Sequence, residues 1–495
     1  MNRPIKKVAI FCLALFAALF VNANYIQFVN ASSYSAHPDN RRNLIYAFQN
    51  PRGEIIVDGK AIATSTPTTG TLKYQRQYTN GPLYAQATGY FSVNYGSTSI
   101  EHYENSILQG TDSRLATQQF LNTIENKGKS GGSVVLTLNA AAQQAAYNGL
   151  ANAGGGKEIE GAVVALDPKT GAILALVSAP SFDPNTLATH NTKDEAKAAN
   201  ALAADPLQPN LDRALLQTYP PGSTFKIITS AAAMSNGINN QPVDENTVIQ
   251  SPLNVITFPD TTATLSNDAG ETCGNTTLIQ AFTQSCNTVY GTVGLDVGGA
   301  KLQAEAEKWG FNQTGPSVPM TAASSAFPKN VTFDASVAQS AIGQFNVRMT
   351  PLQGALMAAT VANGGVMMAP YLVKQELDTK GNVMSTTEPK QLYNPITSDQ
   401  AGQLRDMMVS VVQNGTGTAA QINGVQVAGK TGTAQRGAGQ NALAWFVSFA
   451  PANDPKVAVA VLVQDNQPNA GDVYGGTLAA PIAKDVIQAV LGSQK

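Results

Sequence analysis

The sequence predicts a mixed α/β (α+β) fold in which antiparallel strands pack with buried helices. Two pairs of apolar runs, each pair interrupted by a short polar turn, predict β-hairpins at residues 161–180 and 445–463. An apolar stretch with helical spacing, residues 225–236, ends at Gly237 and predicts a buried helix. Because 495 residues are too many for one ordinary domain, we expect more than one.

The first apolar segment lies at the N-terminus. Three basic residues, Arg3, Lys6 and Lys7, precede an uncharged run from Val8 to Val21, and weaker apolar character continues to Val29. The run alone is short for a membrane span and resembles a signal-peptide core. Its apolar continuation favours an uncleaved signal-anchor over residues 1–30. We expect a single pass through the cell membrane, with the basic end inside and the remaining chain outside.

A glycine-rich segment, Gly128 to Gly132, separates the N-terminal part from the predicted core. It satisfies the Gly-x-Ser-x-Gly pattern of hydrolases and half of a phosphate-binding loop, but Thr123 stands where such a loop needs its first glycine. We therefore interpret this segment as a flexible linker.

Ser223 and Lys226 form the only Ser-x-x-Lys motif in the sequence. They begin the predicted helix, where residues three apart share one face, so the lysine amine lies beside the serine hydroxyl. A serine is a poor nucleophile until a neighbouring base accepts its proton. Burial and the positive helix end favour the neutral amine that a base requires. The alternative is a serine that caps a helix, followed by an unrelated lysine.

Two shorter polar motifs follow, Ser285-Cys286-Asn287 and Lys430-Thr431-Gly432-Thr433. Each has a second copy, Ser92-Val93-Asn94 and Lys169-Thr170-Gly171. The Lys169 copy occupies the turn of the first predicted hairpin, so we interpret it as structural. The Lys430 copy follows an alternating apolar run and lies on a predicted strand whose edge can face a cleft. The ordered motifs predict a serine acyltransferase with a lysine base.

With these motifs the chain resembles the penicillin-binding proteins, the D,D-transpeptidases that cross-link peptidoglycan, over roughly residues 130–490. Five further segments are similar to family elements: the first strand and helix at 132–146, the hairpin at 161–180, a long helix at 350–365, the hairpin at 445–463 and a closing helix at 480–491. The resemblance implies the penicillin-binding and serine β-lactamase-like fold, a central antiparallel sheet flanked by helices.

The resemblance also implies roles for the first two motifs. Ser223 would attack the carbonyl between the two terminal D-alanines of a donor stem peptide, and Lys226 would receive its proton. Ser285 would relay a proton to the leaving amine, while Asn287 would bind the donor amide. The amine of a second stem peptide would resolve the acyl-enzyme, and β-lactam antibiotics would acylate the same serine.

The third motif is implied to bind the donor's terminal carboxylate. Lys430 would raise the positive potential of the cleft, and Thr431, Gly432 and Thr433 would form the substrate-binding edge. The backbone amides of Ser223 and Thr433 would form the oxyanion hole. The implied mechanism needs neither a metal nor a cofactor.

Residues 52–59 resemble the opening motif of class B, monofunctional members. Residues 31–130 are too few for the glycosyltransferase domain of bifunctional relatives, and we expect no domain after the closing helix. We interpret Arg52 as a structural ion-pair residue. The predicted units are the anchor at 1–30, an N-terminal class B (dimerisation or pedestal) domain at 31–130 for spacing and partner docking, and a transpeptidase domain at 131–495. Low charge and abundant Ala and Gly resemble actinobacterial members.

Composition excludes several other classes. Charged residues make up 13% of the chain and the net charge is −2, which does not suggest nucleic-acid binding. The three histidines, His37, His102 and His190, all precede Ser223, so a Ser-His-Asp triad or a histidine metal site is a poor fit.

The cysteines predict a disulfide. Cys12 lies in the anchor, which leaves Cys273 and Cys286 for the extracytoplasmic part. An oxidising compartment permits a bond between them, worth roughly 3 kcal/mol in the chain-entropy model. The alternative is a buried free Cys286 and an unrelated Cys273.

Three functions follow. The leading one is a membrane-anchored D,D-transpeptidase of cell-wall synthesis, in division or elongation, with wall-synthesis proteins as partners. The second is a D,D-carboxypeptidase or serine β-lactamase, which transfers the acyl group to water but usually lacks the Arg52 segment. The third is a non-catalytic β-lactam sensor or divisome scaffold; a sensor should have several membrane spans.

Overall fold

The computed structural model describes residues 3–30, 47–124, 128–156, 158–239, 241–259, 261–268, 272–436, 442–464 and 475–493.

The strands, in chain order, are β1 Ile55–Val57, β2 Lys60–Pro67, β3 Tyr74–Tyr78, β4 Phe91–Ser92, β5 Gly96–Ser97, β6 Ser133–Leu136, β7 Glu160–Leu166, β8 Ile173–Ala179, β9 Val248–Ile249, β10 Val255–Thr257, β11 Thr264–Ser266, β12 Thr276–Thr277, β13 Met367–Met368, β14 Val373–Leu377, β15 Val383–Thr386, β16 Gln391–Tyr393, β17 Ala428–Ala434, β18 Leu443–Ala450 and β19 Val457–Gln464.

The α-helices are α1 Arg3–Asn24, α2 Gly81–Thr88, α3 Ser99–Tyr103, α4 Asn105–Gln109, α5 Ala116–Ile124, α6 Ala140–Ala153, α7 Thr192–Ala204, α8 Arg213–Leu216, α9 Lys226–Asn236, α10 Leu278–Gln284, α11 Asn287–Val297, α12 Gly299–Lys308, α13 Asp334–Ala341, α14 Pro351–Ala362, α15 Ser398–Asn414 and α16 Gly475–Ser493.

The central sheet has five strands in the order β17-β18-β19-β7-β8, and all of its pairs are antiparallel. It contains both predicted hairpins. Every residue of strand β19 is buried. Since successive side chains point to opposite sides, both faces of the strand are covered. Its valines pack with α6 and α16 on one face, and its other residues join the core that contains α14. This arrangement confirms the predicted α/β (α+β) class.

A second sheet joins the N-terminal part to the rest of the chain. Its order is β15-β14-β6-β1-β2-β3, and β1 pairs with β6 in parallel. The predicted domain boundary at residue 130 therefore falls just before β6, an interior strand of this sheet that lies between β1 and β14.

The interpretation of residues 128–132 as a flexible linker is wrong at its C-terminal end. Gly131 and Gly132 are buried, and their amides donate to the carbonyls of Pro51 and Ile107 at 3.0 and 2.9 Å. A Cβ atom on Gly53 would lie 1.6 Å from the Gly132 carbonyl oxygen. These glycines serve close backbone packing.

The N-terminal helix is the apolar segment predicted as an anchor. Residues Arg3–Val29 are helical, long enough and apolar enough to cross a membrane, and bury no side chain in the protein. Membrane insertion of this helix is consistent with its fully exposed apolar surface.

Arg52 is a structural ion-pair residue, as predicted. Its Nε atom and that of Arg76 each donate to the Glu101 carboxylate at 2.5 Å, and the Tyr78 hydroxyl donates at 3.1 Å. Burial alone would raise the pKa of Glu101, but the two guanidinium groups hold that pKa below its usual value. The cluster stabilises the N-terminal sheet only while its charges remain paired.

Replacing Glu101 by glutamine is expected to lower the free energy of unfolding by about 3–5 kcal/mol, because two buried guanidinium groups lose their counter-charge. Chemical denaturation of the detergent-solubilised protein measures this change. Asp454→Asn is the control, since it breaks only exposed pairs, with Lys169 and Lys456, and should have no measurable effect. Equal stability of both variants would contradict a structural role for the cluster.

A contact between two carboxyl groups, those of Glu104 and Glu376, also joins the N-terminal part to the rest of the chain. Burial and the neighbouring Glu376 carboxylate raise the pKa of Glu104 to about 7, while Arg114 partly opposes this shift. Glu104 precedes α4 and Glu376 lies on β14, so the contact crosses the predicted domain boundary.

Stability is expected to fall as pH rises from about 4.5, the ordinary pKa of the Glu104 carboxyl, to about 7. In that range the unfolded chain has released the proton that the folded protein retains, so rising pH favours unfolding. Glu104→Gln removes this dependence, and its stability relative to the native protein should increase with pH. Thermal unfolding below and above this range measures the difference; a constant difference would contradict the prediction.

Candidate active site

The predicted nucleophile lies in a tight turn against the edge of the central sheet. Gly222–Phe225 form a 3₁₀ turn that leads directly into α9. Gly222 has a φ of +55°, and a Cβ atom there would lie 2.6 Å from the Thr433 carbonyl oxygen. Its amide donates to the Gly343 carbonyl at 3.0 Å. The turn holds Ser223 at the wall of a cavity, where it is 6% exposed.

Lys226 is fully buried one turn further along. Its Nζ atom donates to the Ser285 carbonyl at 2.6 Å, to the Asn287 Oδ1 atom at 2.8 Å and to the Ser285 hydroxyl at 3.3 Å. The amine also lies 5.4 Å from the centre of the Tyr290 ring. These contacts connect the first motif directly to the second.

The second motif occupies the break between α10 and α11. Ser285 has a φ of +64°, a left-handed conformation that costs a residue with a side chain about 1–2 kcal/mol. Cys286 is buried in the core, while Asn287 begins α11 and is 6% exposed. The side-chain amide nitrogen of Asn287, Nδ2, donates to the Ser266 carbonyl at 3.1 Å and to the Asp268 carboxylate at 3.3 Å. The break thus turns Ser285 and Asn287 toward the lysine.

The third motif lies on β17, which pairs with β18 through residues 428–434. The buried Lys430 Nζ donates to the Ser285 hydroxyl at 2.8 Å and lies 5.3 Å from the centre of the Phe282 ring. Both predicted lysines therefore reach the same hydroxyl. Gly432 packs closely, since a Cβ atom there would lie 2.9 Å from the Pro221 carbonyl oxygen.

The two threonines of this motif differ in their surroundings. Thr433 lines the cavity beside Ser223, whereas the Thr431 hydroxyl shares a 2.5 Å hydrogen bond with the Thr416 hydroxyl. The Thr433 carbonyl faces Gly222. Because the N–H and C=O of one strand residue point to the same side, the Thr433 amide also faces the Ser223 turn.

The cavity has a volume of about 340 Å³. Ser223, Asn287 and Thr433 are its predicted lining residues; the others are Thr264, Leu265, Ser266, Asp268, Gln339, Ile342, Gln344, Phe345, Gln435 and Arg436. Sequence reasoning missed this second group, because the residues come from separate segments and carry no short motif. Burial lowers the pKa of Arg436, with opposing contributions from Glu160 and Tyr219.

The second copies of the short motifs lie elsewhere. Lys169 is in the exposed turn between β7 and β8 and pairs with Asp454 at 2.8 Å. The Ser92 and Asn94 side chains both donate to the buried Glu195 carboxylate. Within the described ranges, no group of three or more His, Cys, Asp or Glu residues could hold a metal ion.

Cys273 and Cys286 form a disulfide, with Cα atoms 6.1 Å apart. The bond connects the segment after β11 to the residue between Ser285 and Asn287. The disulfide therefore restrains the second motif through Cys273, a residue that lies outside helices α10 and α11.

A Cys273→Ser, Cys286→Ser variant is expected to be about 3 kcal/mol less stable than the native protein, because the unfolded chain loses a covalent loop. Acylation by penicillin should also slow, since Ser285 and Asn287 lose a restraint. Thermal unfolding and labelling rates measure the two effects. Non-reducing peptide mapping of the native protein is the control: recovery of both cysteines as free thiols would contradict the bond.

Comparisons with known proteins agree on one family. Residues 161–488 match the penicillin-binding protein transpeptidase domain, and residues 52–134 match the penicillin-binding protein A dimerisation domain. The chain is 41% identical to the peptidoglycan D,D-transpeptidase PbpA of Mycolicibacterium smegmatis and 38% identical to that of Mycobacterium tuberculosis, over 99% of each chain in both comparisons. A solved ceftriaxone acyl-enzyme complex of penicillin-binding protein A from M. tuberculosis has a TM-score of 0.86 and 38% identity, covering 90% of this chain and 100% of that one.

Proposed function

The chain belongs to the penicillin-binding protein transpeptidases, and from this premise we propose how its residues divide the work of peptidoglycan cross-linking. It is a D,D-transpeptidase that forms a serine acyl-enzyme and is acylated by β-lactams. The observation that carries the residue assignment is the junction of three motifs: Lys226 and Lys430 both donate to Ser285, next to the cavity lined by Ser223.

In the acylation step, Ser223 Oγ attacks the carbonyl carbon of the bond between the donor's two terminal D-alanines. Lys226, as the neutral amine, accepts the hydroxyl proton. The developing oxyanion accepts hydrogen bonds from the amides of Ser223 and Thr433. When the peptide bond breaks, Lys226 returns a proton through the Ser285 hydroxyl to the leaving amine, and D-alanine departs.

The contacts of Ser285 support this relay. Its hydroxyl lies 3.3 Å from the Lys226 amine and 2.8 Å from the Lys430 amine, so it can accept a proton from one side while it donates to the leaving nitrogen. Asn287 is held by Lys226 and lines the cavity, which suits it to bind the donor's amide.

The edge of β17 supplies the carboxylate site. Thr433 lies in the cavity wall, and the charge of Lys430 attracts an anionic donor end. The Thr431 hydroxyl contributes to this site together with the Thr416 hydroxyl, with which it shares a hydrogen bond. Gly432 lets the strand approach the Ser223 turn.

In the second step, the amine of an acceptor stem peptide attacks the ester carbon and gives up a proton to the neutral Lys226 amine, which passes a proton to Ser223 Oγ as the ester bond breaks. The new amide bond cross-links two strands, and the enzyme returns to its starting state. No step uses a metal or a cofactor.

The N-terminal helix is proposed to keep this site at the outer face of the cell membrane. Arg3, Lys6 and Lys7 lie at the inner end of the helix by the charge rule, which puts the transpeptidase part outside. Residues 31–130 would space the site from the membrane and dock other proteins of wall synthesis or cell division.

The full-length protein in detergent, incubated with a fluorescent penicillin, tests this assignment. Peptide mass should locate a long-lived adduct on Ser223. A donor peptide ending in D-Ala-D-Ala should then release D-alanine and yield a cross-linked product when an acceptor amine is present. Release of D-alanine with a hydrolysed donor and no cross-linked product would indicate a carboxypeptidase. Rapid loss of the penicillin adduct would indicate a β-lactamase. A stable adduct without turnover of the peptide would indicate a sensor.

A further inference from the structure

A second cavity lies where the N-terminal part meets the transpeptidase part, and we call it the interface cavity. Its volume is about 230 Å³, and its lining includes the aromatic rings of Tyr90, Tyr103 and Phe182. The rings of Tyr90 and Phe182 meet edge to face with their centres 6.3 Å apart, and the Gln86 side chain donates to the Pro209 carbonyl at 3.1 Å. Both contacts cross the boundary between the two parts, so residues of both parts form this cavity.

Asp212 is the one Asp, Glu, Lys, Arg or His residue among the described residues that line the interface cavity. It is 7% exposed. Its Oδ1 atom accepts hydrogen bonds from the Ser178 hydroxyl and the Leu215 amide, both at 3.2 Å. Burial raises the pKa of Asp212 to about 6, and the hydrogen bonds that oppose this shift come from neutral groups. At neutral pH the cavity wall therefore carries a desolvated carboxylate.

The neighbouring basic residue, Arg213, is engaged elsewhere. Its guanidinium group pairs with Glu160 at 2.7 Å and donates to the carbonyls of Leu207 and Gln208. A carboxylate that is buried without a counter-charge costs free energy, and a cation bound beside it removes much of that cost. The buried charge of Asp212 therefore favours a cationic ligand in the interface cavity.

The rest of the lining decides the kind of cation. Aromatic rings attract organic cations, and three of them share this cavity. Leu216 and Tyr103 are 51% and 49% exposed, so the alkyl part of a ligand would remove apolar surface from water. No group of three or more His, Cys, Asp or Glu residues suited to a metal ion occurs in the described part of the chain. An anion would be repelled by Asp212, and a neutral molecule would leave its charge unpaired.

We propose that the interface cavity binds a primary ammonium group on an alkyl chain, as in a lysine side chain or a small diamine. The ammonium group pairs with Asp212, and the chain covers Leu216 and Tyr103. Such a ligand contacts the N-terminal part and the transpeptidase part at once and so strengthens their association. The site is separate from the cavity beside Ser223, and its occupancy does not depend on acylation.

The test measures binding of 1,5-diaminopentane to the full-length protein in detergent, at constant ionic strength, from the rise of the thermal midpoint with ligand concentration. 1,5-Pentanediol is the neutral ligand of matched length. The diamine should raise the midpoint, and the diol should not. An equal rise with both ligands, or no rise with either, would overturn the proposal.

Asp212→Asn removes the charge but retains an Oδ1 acceptor for Ser178 and Leu215, so the local hydrogen bonds can persist. It should weaken binding of the diamine by about 10-fold or more. Asp296→Asn is the matched control: burial also raises the pKa of Asp296, but this residue lies on α11, outside the lining of the interface cavity. Diamine binding that is unchanged in Asp212→Asn would contradict the proposed pairing.

A second pair of variants leaves Asp212 in place. Leu216→Lys puts a tethered ammonium group at the cavity and should abolish binding of added diamine while it raises the thermal midpoint. Leu216→Gln, of similar length but neutral, should retain most of the binding. Native affinity for the diamine in Leu216→Lys would overturn the proposal even if Asp212→Asn proved to be unfolded.

A lysine derivative identifies the source of the ammonium group. Nα-acetyl-lysine methylamide carries the same alkylammonium chain on a peptide backbone. If it binds and Asp212→Asn weakens that binding, the cavity accepts a peptide-borne side chain. If only the diamine binds in an Asp212-dependent way, the ligand is a small free amine. Failure of both to bind the native protein would remove the proposed site.

Discussion

Ser223→Ala is expected to abolish labelling by fluorescent penicillin and to lower cross-linking by about a millionfold, the loss seen when a serine nucleophile is removed. The hydroxyl provides the oxygen of the acyl-enzyme ester, and no change elsewhere in the site can replace that bond. Ser285 also carries a hydroxyl at the junction of the three motifs, but it is held between two lysine amines and is assigned to proton relay.

Gel fluorescence and peptide mass measure the labelling, and D-alanine release measures the reaction with peptide. Ser235→Ala is a matched control, since Ser235 is an exposed serine near the end of the same helix, α9. It should label like the native protein. An adduct that persists in Ser223→Ala and maps to another residue would assign the nucleophile elsewhere.

Lys226→Met is expected to slow acylation by about 100- to 10,000-fold, the usual contribution of a general base. Lys226→Arg should lose as much, although it retains a charge and several donors, because an arginine stays protonated and cannot accept the serine proton. The pair of variants therefore separates a base from a residue that only positions Ser285 and Asn287.

Stopped labelling reactions give the rates, and thermal unfolding shows whether each variant is folded. Lys169→Met, in the second copy of the third motif, is the control and should acylate normally because it lies in an exposed turn. Recovery of activity in Lys226→Arg would reduce Lys226 to a positioning role. Lys430 would then be the remaining candidate base, since its amine also reaches Ser285.

Elements that depend on neighbours in the chain could be predicted from the sequence. The alternating apolar runs and polar turns identified both hairpins of the central sheet, and the apolar stretch that ends at Gly237 identified α9. The Ser223–Lys226 spacing predicts that the two groups lie one helical turn apart. In the structure Ser223 is in the 3₁₀ turn that leads into α9, and Lys226 is the first residue of α9. The family and its activity followed from the order of the three motifs.

Some positions could be interpreted only with the fold. The sequence predicts that Gly131 and Gly132 are flexible, yet both are buried. A glycine suits mobility and close packing equally well, so the residue type does not distinguish the two. Asp268, Thr416 and Phe345 contact or line the site without any local signal. Their significance depends on segments that are distant in the chain and adjacent in space.

The sequence by itself determined the class of chemistry, the candidate nucleophile and base, the antiparallel hairpins and the apolar N-terminal segment, since each depends on residue type and short spacing. Only the tertiary structure decided that Lys226 and Lys430 converge on one serine hydroxyl, that the Lys169 copy lies on the surface, and which side chains line the cavity. The physical reason is that these contacts join residues brought together by sheet pairing and helix packing, which no local pattern specifies.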